Sequence, residues 1–108
     1  GVEGITLPAP CVGGEHVYWM YTIHVDPERY GVDAYALRCA LAAEGAETRP
    51  VFTPLHAQPV LAPSAGVQGP FPNAEWAART GINLPSGATL NEEQIDRVCR
   101  VIRETSRP

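Results

Sequence analysis

The segment HVYWMYTIHV, residues 16–25, decides the expected fold. Its odd-numbered positions are all apolar or aromatic, and this period-two pattern is rich in aromatic and β-branched side chains, which predicts a β-strand with a buried face. The even-numbered face carries Tyr18 and Met20 at its centre, which a face turned to water seldom does. That second face is either partly covered by another element, domain or subunit, or carries scattered surface apolar residues.

Two helices are predicted downstream of this strand. The first spans residues 34–44, with Asp33 as its N-cap and Gly45 at the position that follows its C-terminus. The second is short and lies near residues 72–80, where its proline suits a first-turn position. Asp26 and the two residues after it are expected to form a loop.

A third helix is the best-marked element, because Asn91 and Gln94 have the spacing of a capping box. Its apolar stripe consists of Ile95, Val98, Cys99 and Ile102, so Cys99 is expected to be a buried structural thiol. The pairs Glu93–Arg97 and Asp96–Arg100 are spaced for i,i+4 ion pairs.

Two further short strands complete the predicted sheet. Residues 47–52 indicate an edge or bulged strand, because Pro50 removes one backbone donor. Residues 82–84 indicate a brief third strand, and residues 53–70 a long irregular connection of the kind that is either functional or disordered. The predicted fold class is α+β, with a small antiparallel or mixed sheet and helices packed on one face.

Composition restricts the function. The chain has 108 residues, room for one domain, and a net charge of −4, which argues against nucleic-acid or anionic-membrane binding. All 8 basic residues are arginine, so no mechanism that needs a lysine can be completed within this chain. Three cysteines without a CxxC motif favour a reducing cytoplasm over a disulfide framework. No membrane span or signal peptide is recognisable, and the missing initiator methionine suggests a processed chain or an excised piece.

Metal and nucleophile chemistry find little support in the residue spacing. His16 and His24 fall eight residues apart on one strand, about 26 Å at roughly 3.3 Å per residue, so they are not expected to share a metal. A cysteine–histidine pair, for instance one that includes Cys11, has no spacing in its favour. We therefore expect no metal site and no catalytic residue within this chain.

The segment RPVFTPLHAQP, residues 49–59, is the candidate ligand-facing loop. Arg49 suits an anionic group, His56 suits proton transfer or a hydrogen bond to an anionic oxygen, and Phe52 and Gln58 add an aromatic ring and an amide. Its three prolines limit backbone freedom and so reduce the entropy lost in holding these side chains. From these residues alone, the segment is either a ligand-facing loop or a merely rigid surface loop.

Three blocks in order give the sequence a resemblance to the C-terminal region of the DegT/StrS-type sugar aminotransferases, which use pyridoxal phosphate. The blocks are VYWMY at 17–21, ETRPVF with PLHAQP at 47–59, and NAEWAAR with GINLPSG and LNEEQI at 73–95. The resemblance extends over about residues 4–103, and the first two blocks are most similar to the GDP-perosamine synthase branch. Ala46, where the family usually has isoleucine, and the small-residue segment 63–69 depart from the family pattern.

The resemblance implies that residues 1–108 are one unit, the C-terminal small domain of a fold-type-I aminotransferase. The large N-terminal domain, absent here, would supply the Schiff-base lysine and hold the pyridoxal phosphate, so this chain alone would bind no cofactor. The intact enzyme would transfer an amino group from glutamate to a 4-keto-6-deoxy nucleotide sugar. His56 matches the family's loop histidine, and Arg49, Phe52 and Gln58 are expected as substrate-binding neighbours. The alternatives are a stand-alone interaction or sugar-nucleotide-binding module without catalysis, and a domain with no ligand.

Overall fold

A computed structural model describes residues 1–61 and 69–106 and shows a four-stranded sheet with helices on it. The strands are β1 (Ile5–Thr6), β2 (Tyr21–Val25), β3 (Arg49–Pro50) and β4 (Gly81–Leu84). The helices of this described part are α1 (Pro27–Tyr30), α2 (Ala34–Ala43), α3 (Pro72–Thr80) and α4 (Glu92–Thr105), with a 3-10 turn at Leu55–Ala57.

The sheet has the order β1-β2-β4-β3, and every neighbouring pair is antiparallel. Its central pair is β2 with β4, in which Tyr21 lies opposite Leu84 and Ile23 opposite Ile82. The α+β class is confirmed, and the sheet is antiparallel rather than mixed. The predicted strand at 82–84 is confirmed, one residue longer, and lies at the centre of the sheet.

The hydrophobic core lies between one face of the sheet and the helices α2 and α4. Ile23 and Val25 of β2 and Ile82 of β4 point into it, and each is at most 1% exposed. Because side chains alternate along a strand, Thr22 and His24 lie on the opposite face. There α3 packs against β2, and the Trp76 ring stacks on the His24 ring at 4.3 Å between centroids. Helices therefore contact both faces, and α3 is the element that partly covers the second one.

The predicted strand at 16–25 is wrong in its first half. Tyr18 has a φ of +46°, outside the extended region, and its backbone N–H donates to His16 Nδ1 at 2.9 Å. The same two rings stack at 4.1 Å, so this local contact ends the extended backbone before β2 begins. Val17 and Trp19, predicted to be buried on the core face, are 85% and 76% exposed.

The predicted loop after β2 is the helix α1. Asp26 caps it through its side chain, which accepts from the Glu28 N–H at 3.1 Å, and Pro27 occupies the first turn. Tyr30 at its end is 0% exposed, and its hydroxyl donates to the backbone oxygen of Ile102 in α4. That oxygen is one of the last four carbonyls of α4, which lack partners within the helix, so Tyr30 satisfies it.

Helix α2 begins where its sequence predicts, and the predicted glycine follows its C-terminus. The Asp33 carboxylate accepts from the Ala36 N–H at 2.8 Å, and the helix ends one residue before the predicted Glu44. Gly45 has a φ of +78° and donates to the Ala42 oxygen, while the N–H of Ala46 donates to the Leu41 oxygen. These two bonds form a Schellman motif, whose left-handed position favours glycine.

Helix α3, confirmed at its predicted range, runs into β4 with no intervening residue. Gly81 lies at this junction, where an added Cβ would come within 2.3 Å of the Val51 side chain and 2.6 Å of the Ala77 oxygen. Only glycine leaves room for Val51 to pack at this corner.

The predicted strand at 47–52 pairs through Arg49 and Pro50 only, at the edge of the sheet as its proline indicated.

Helix α4 has the predicted capping box, in which Asn91 and Gln94 exchange hydrogen bonds of 2.9 and 3.0 Å. The predicted ion pairs are wrong: within the described residues Arg100 pairs with Glu104 and with Glu44 of the neighbouring α2. Arg100 is drawn to Glu44 because α2 and α4 pack side by side. The stripe is only partly covered, since Ile95 is 48% exposed and Cys99 is half-buried rather than buried.

The irregular connection at 53–70 is ordered where it is described. It contains the 3-10 turn, in which the Ala57 N–H donates to the Pro54 oxygen and the Gln58 N–H to the Leu55 oxygen. The segment 63–69, which departs from the family pattern, lies outside the described residues except for its last position.

Replacing Tyr30 by phenylalanine is expected to lower the free energy of unfolding by about 1–3 kcal/mol, because the buried Ile102 oxygen loses its donor. Urea denaturation of the variant measures this loss. Tyr35→Phe on α2 is the matched control, since Tyr35 is 70% exposed. We expect the control to change stability by less than about 0.5 kcal/mol. Equal losses in the two variants would contradict a structural role for the Tyr30 hydroxyl.

Candidate functional site

A cavity of about 550 Å³ lies at the end of β4 beside the edge strand β3. Its lining includes Arg49 and Phe52, two of the four predicted site residues. The Arg49 guanidinium donates to the Glu47 carboxylate and remains 76% exposed, so it can still meet an anionic ligand from solvent. Phe52 is 69% exposed and offers a ring face at the same opening.

A buried polar network supports this cavity from the sheet. Thr22 Oγ1 donates to Asn83 Oδ1 at 2.6 Å, and Asn83 Nδ2 donates to the backbone oxygen of Pro50 at 3.3 Å. Asn83 is only 9% exposed and lies opposite Arg49 in the β3–β4 register. Each polar group of Asn83 is therefore satisfied, and the network holds the short strand that carries Arg49 against β4.

His56 and Gln58, the other two predicted residues, lie on the 3-10 turn and its exit. Gln58 Nε2 donates to the Thr53 backbone oxygen at 3.3 Å, so its amide closes the turn on itself. The rigidity predicted for this loop thus has a second source beside the prolines. Gln58 stabilises the loop through Nε2, the donor that it would otherwise offer to a ligand.

The His56 imidazole contacts helix α3 and the residue before it. Its Nε2 lies 3.1 Å from Glu75 Oε1, and its ring centroid is 4.9 Å from that of Phe71. The His56 side chain is 16% exposed. The structure therefore separates the predicted site residues into two groups: Arg49 and Phe52 line the cavity, and His56 lies against α3.

A third cluster joins β2 to α3. Thr80 Oγ1 donates to the Trp76 oxygen at 2.9 Å, so it accepts from His24 Nδ1, 3.0 Å away. His24 Nδ1 therefore carries the proton, and the ring packs on Trp76. Burial lowers the pKa of His24 below its usual value of 6.5.

Sequence reasoning missed the groups that position these side chains. Glu75 and Trp76 appear in the quoted family block without a role, although Trp76 and Thr80 have the i,i+4 spacing of one helix face. Nothing in the local sequence indicates that Glu75 would reach His56, because the two are 19 positions apart. Within the described residues, no three metal-ligating side chains converge, and no described helix has the length and hydropathy to cross a bilayer.

The chain belongs to the DegT/DnrJ/EryC1/StrS aminotransferase family, whose sequence profile matches residues 2–103. It is 38% identical over 94 residues, or 87% of the chain, to the GDP-perosamine synthase of Caulobacter vibrioides. It is 31% identical to the dTDP-3-amino-3,4,6-trideoxy-alpha-D-glucose transaminase of Streptomyces venezuelae over 96% of the chain.

Solved structures show the same fold. The crystal structure of S. venezuelae DesV matches 100% of this chain with a TM-score of 0.85 and 31% identity. The aminotransferase TlmJ of Streptoalloteichus hindustanus matches 96% of it with a TM-score of 0.77 and 24% identity. The chain spans about a quarter of the length of the relatives it matches: 24% of the C. vibrioides protein and 28% of DesV.

Pyridoxal phosphate does not fit the residues of this chain taken alone. The 108 residues include no lysine, so no side chain here can form the imine that holds the cofactor.

We expect the free energy of unfolding to fall as the pH drops below about 6.5. The folded state disfavours protonated His24 while the unfolded state accepts the proton, so the His24 contribution is present above pH 6.5 and lost below it. The variant His24→Gln keeps a donor for Thr80 but does not titrate, and its pH dependence should be shallower. His16→Gln, in an exposed loop, is the control. Urea denaturation between pH 5 and 8 measures the difference, and parallel curves for wild type and His24→Gln would contradict it.

Proposed function

We propose that this chain is the C-terminal small domain of a pyridoxal-phosphate-dependent aminotransferase that acts on a nucleotide sugar. The observation that carries the proposal is the family match over residues 2–103 by a chain that spans a quarter of its relatives. Two of those relatives, at 38% identity, are GDP-perosamine synthases, which favours a 4-keto-6-deoxy sugar nucleotide as acceptor and glutamate as donor. The three free thiols suit a reducing cytoplasm.

The catalytic lysine and the cofactor site then belong to a large N-terminal domain, and this chain is inactive alone. The exposed surface supports such a partner. Several large apolar side chains of the described residues are at least 58% exposed: Val12, Val17, Trp19, Val60, Leu55 and Leu7.

An apolar groove of about 830 Å³ is the surface we assign to this partner. It lies between β1, β2 and the partly covered stripe of α4, with Ile5, Ile95 and Val98 in its walls. Gly1 and Val2 also line it, beside β1. The occupant we propose is an apolar surface of the large domain, which would cover the exposed part of the α4 stripe.

In this assembly Arg49 and Phe52 would face the substrate from the cavity, and His56 and Gln58 from the neighbouring 3-10 turn. Arg49 would hold an anionic group such as the diphosphate, because its guanidinium can donate two parallel hydrogen bonds. Phe52 would contact an apolar or ring surface beside it. His56 would form a hydrogen bond with a substrate oxygen, and Gln58 would keep the His56 turn closed. The cofactor, held by the large domain, supplies the electron sink of transamination.

A second candidate function is a stand-alone sugar-nucleotide-binding module. The ordered turn at Leu55–Ala57 and the cavity beside Arg49 favour it, since both exist without the large domain. The two candidates differ in one measurable property: the module would bind a nucleotide sugar as the isolated chain, and the small domain would bind it only when joined to the large one.

The polypeptide that carries both domains is expected to aminate a keto-sugar nucleotide with pyridoxal phosphate and glutamate, and the chain alone is not. His56→Ala in that polypeptide should lower turnover about tenfold or more, the loss typical of one oriented hydrogen-bonding or proton-transfer group. His16→Ala is the matched control and should retain full turnover. Steady-state kinetics measure both variants. Turnover by the isolated chain would contradict the proposal. Unchanged turnover in His56→Ala would show that the loop has only a structural role.

Cys99 should report whether the groove is covered. It lines the groove and is half-buried in the chain alone, so a maleimide should label it there, whereas the two-domain polypeptide should label at least tenfold more slowly. Cys39, exposed on α2, is the internal control and should react equally in both. Peptide mass spectrometry follows each site. Equal labelling of Cys99 in the two proteins would contradict the assignment. Protection that instead rises with the concentration of the isolated chain would identify a second copy as the occupant.

A further inference from the structure

The contact between His56 and Glu75 joins the candidate loop to a helix of the framework. His56 Nε2 and Glu75 Oε1 are 3.1 Å apart, and the His56 side chain is 16% exposed whereas that of Glu75 is 50% exposed. Phe71 lies against the imidazole at 4.9 Å with an angle of 39° between the rings. The ring is thus held at one edge by a carboxylate and on one side by an aromatic ring.

The contact with Glu75 determines which nitrogen of the His56 ring carries the hydrogen. A carboxylate only accepts hydrogen bonds, so the nitrogen that faces Glu75 must carry a hydrogen. In the neutral ring, Nε2 is then the N–H and Nδ1 is the acceptor. Among the hydrogen bonds of the described residues, Nδ1 makes none, so it is the ring nitrogen that keeps its acceptor lone pair.

The position of Glu75 is fixed by the sheet and not by the loop. Glu75 lies in the first turn of α3, where the helix dipole favours a negative charge, and its N–H donates to the Phe71 oxygen at 3.0 Å. Helix α3 continues directly into β4, and Trp76 stacks on His24 of β2. The His56 ring is therefore oriented relative to the sheet that also carries Arg49.

We propose that Glu75 is a positioning residue: it holds the Nε2–H tautomer of His56 and presents Nδ1 as an acceptor for a sugar hydroxyl of the substrate. The part about the substrate rests on the proposed function, and the part about the tautomer does not. Glu75 acts only through His56, in the way that carboxylates orient ligand-binding histidines elsewhere.

The tautomer is tested on the chain itself by ¹⁵N-detected correlation spectra of its three imidazoles. We expect His56 to show an Nε2–H proton that exchanges slowly with solvent. Glu75→Gln, whose amide oxygen still accepts, should retain it, whereas Glu75→Ala should lose the protection by at least tenfold. Glu93→Ala, in the first turn of α4, is the matched control. An Nδ1–H tautomer, or equal protection in Glu75→Ala, would overturn the proposal. The signal of the His24 Nδ1 proton, which is donated to Thr80 of α3, should not change. An unchanged signal shows that the helix remains folded.

The role in substrate binding is tested by a double-mutant cycle in the two-domain polypeptide. Glu75→Ala should raise KM for the sugar nucleotide about tenfold, Glu75→Gln should restore most of it, and Glu75→Ala should add nothing to His56→Ala. Additive losses would show that Glu75 does not act through His56. If the polypeptide catalyses no transamination, the proposed function fails, while the spectra of the isolated chain still decide whether Glu75 holds His56.

Discussion

The antiparallel pairing of β2 with β4 is the constraint on which the rest of the structure depends. Each strand has a neighbour on both sides, so the two form the middle of the sheet. Ile23 and Ile82 turn to the core under α2 and α4, while Thr22 and Asn83 form the polar network of the other face. A shift of one residue in this register would exchange the two faces, burying polar side chains in the core and exposing apolar ones.

Elements that are specified by neighbouring residues could be predicted from the sequence. The ends of α2 and the start of α4 depend on Asp33, Gly45 and Asn91, which act within one helical turn. The start of β2 could not be predicted in this way, because alternation continues through residues 16–20 while Tyr18 leaves the extended region to meet His16. Helix α1 did have a local signal, because Asp26 is followed by proline. Its tertiary contact could not be predicted, because the Tyr30 hydroxyl donates to Ile102 of α4, which is 72 positions further along the chain.

In the candidate site, too, the sequence indicates which residues to consider but not how they are arranged in space. Residues 49–59 are predicted from the sequence as a ligand-facing or merely rigid loop, and the structure adds that the Gln58 amide donates to the Thr53 backbone oxygen across the turn. Their arrangement could not be predicted, because it depends on where α3 lies. The family resemblance assigned His56 to a site wall but said nothing of its carboxylate partner. That partner becomes visible only when two segments 19 positions apart are brought to 3.1 Å.

The uninterrupted passage from α3 to β4 gives this domain a stiff corner. A loop between a helix and a strand absorbs small displacements through its free dihedral angles, but no loop separates Thr80 from Gly81. Thr80 is only 6% exposed, and Gly81 packs closely against the Val51 side chain. We therefore expect α3 and β4 to shift together, which would keep Glu75 and its contact with His56 at a constant position relative to the central strand pair.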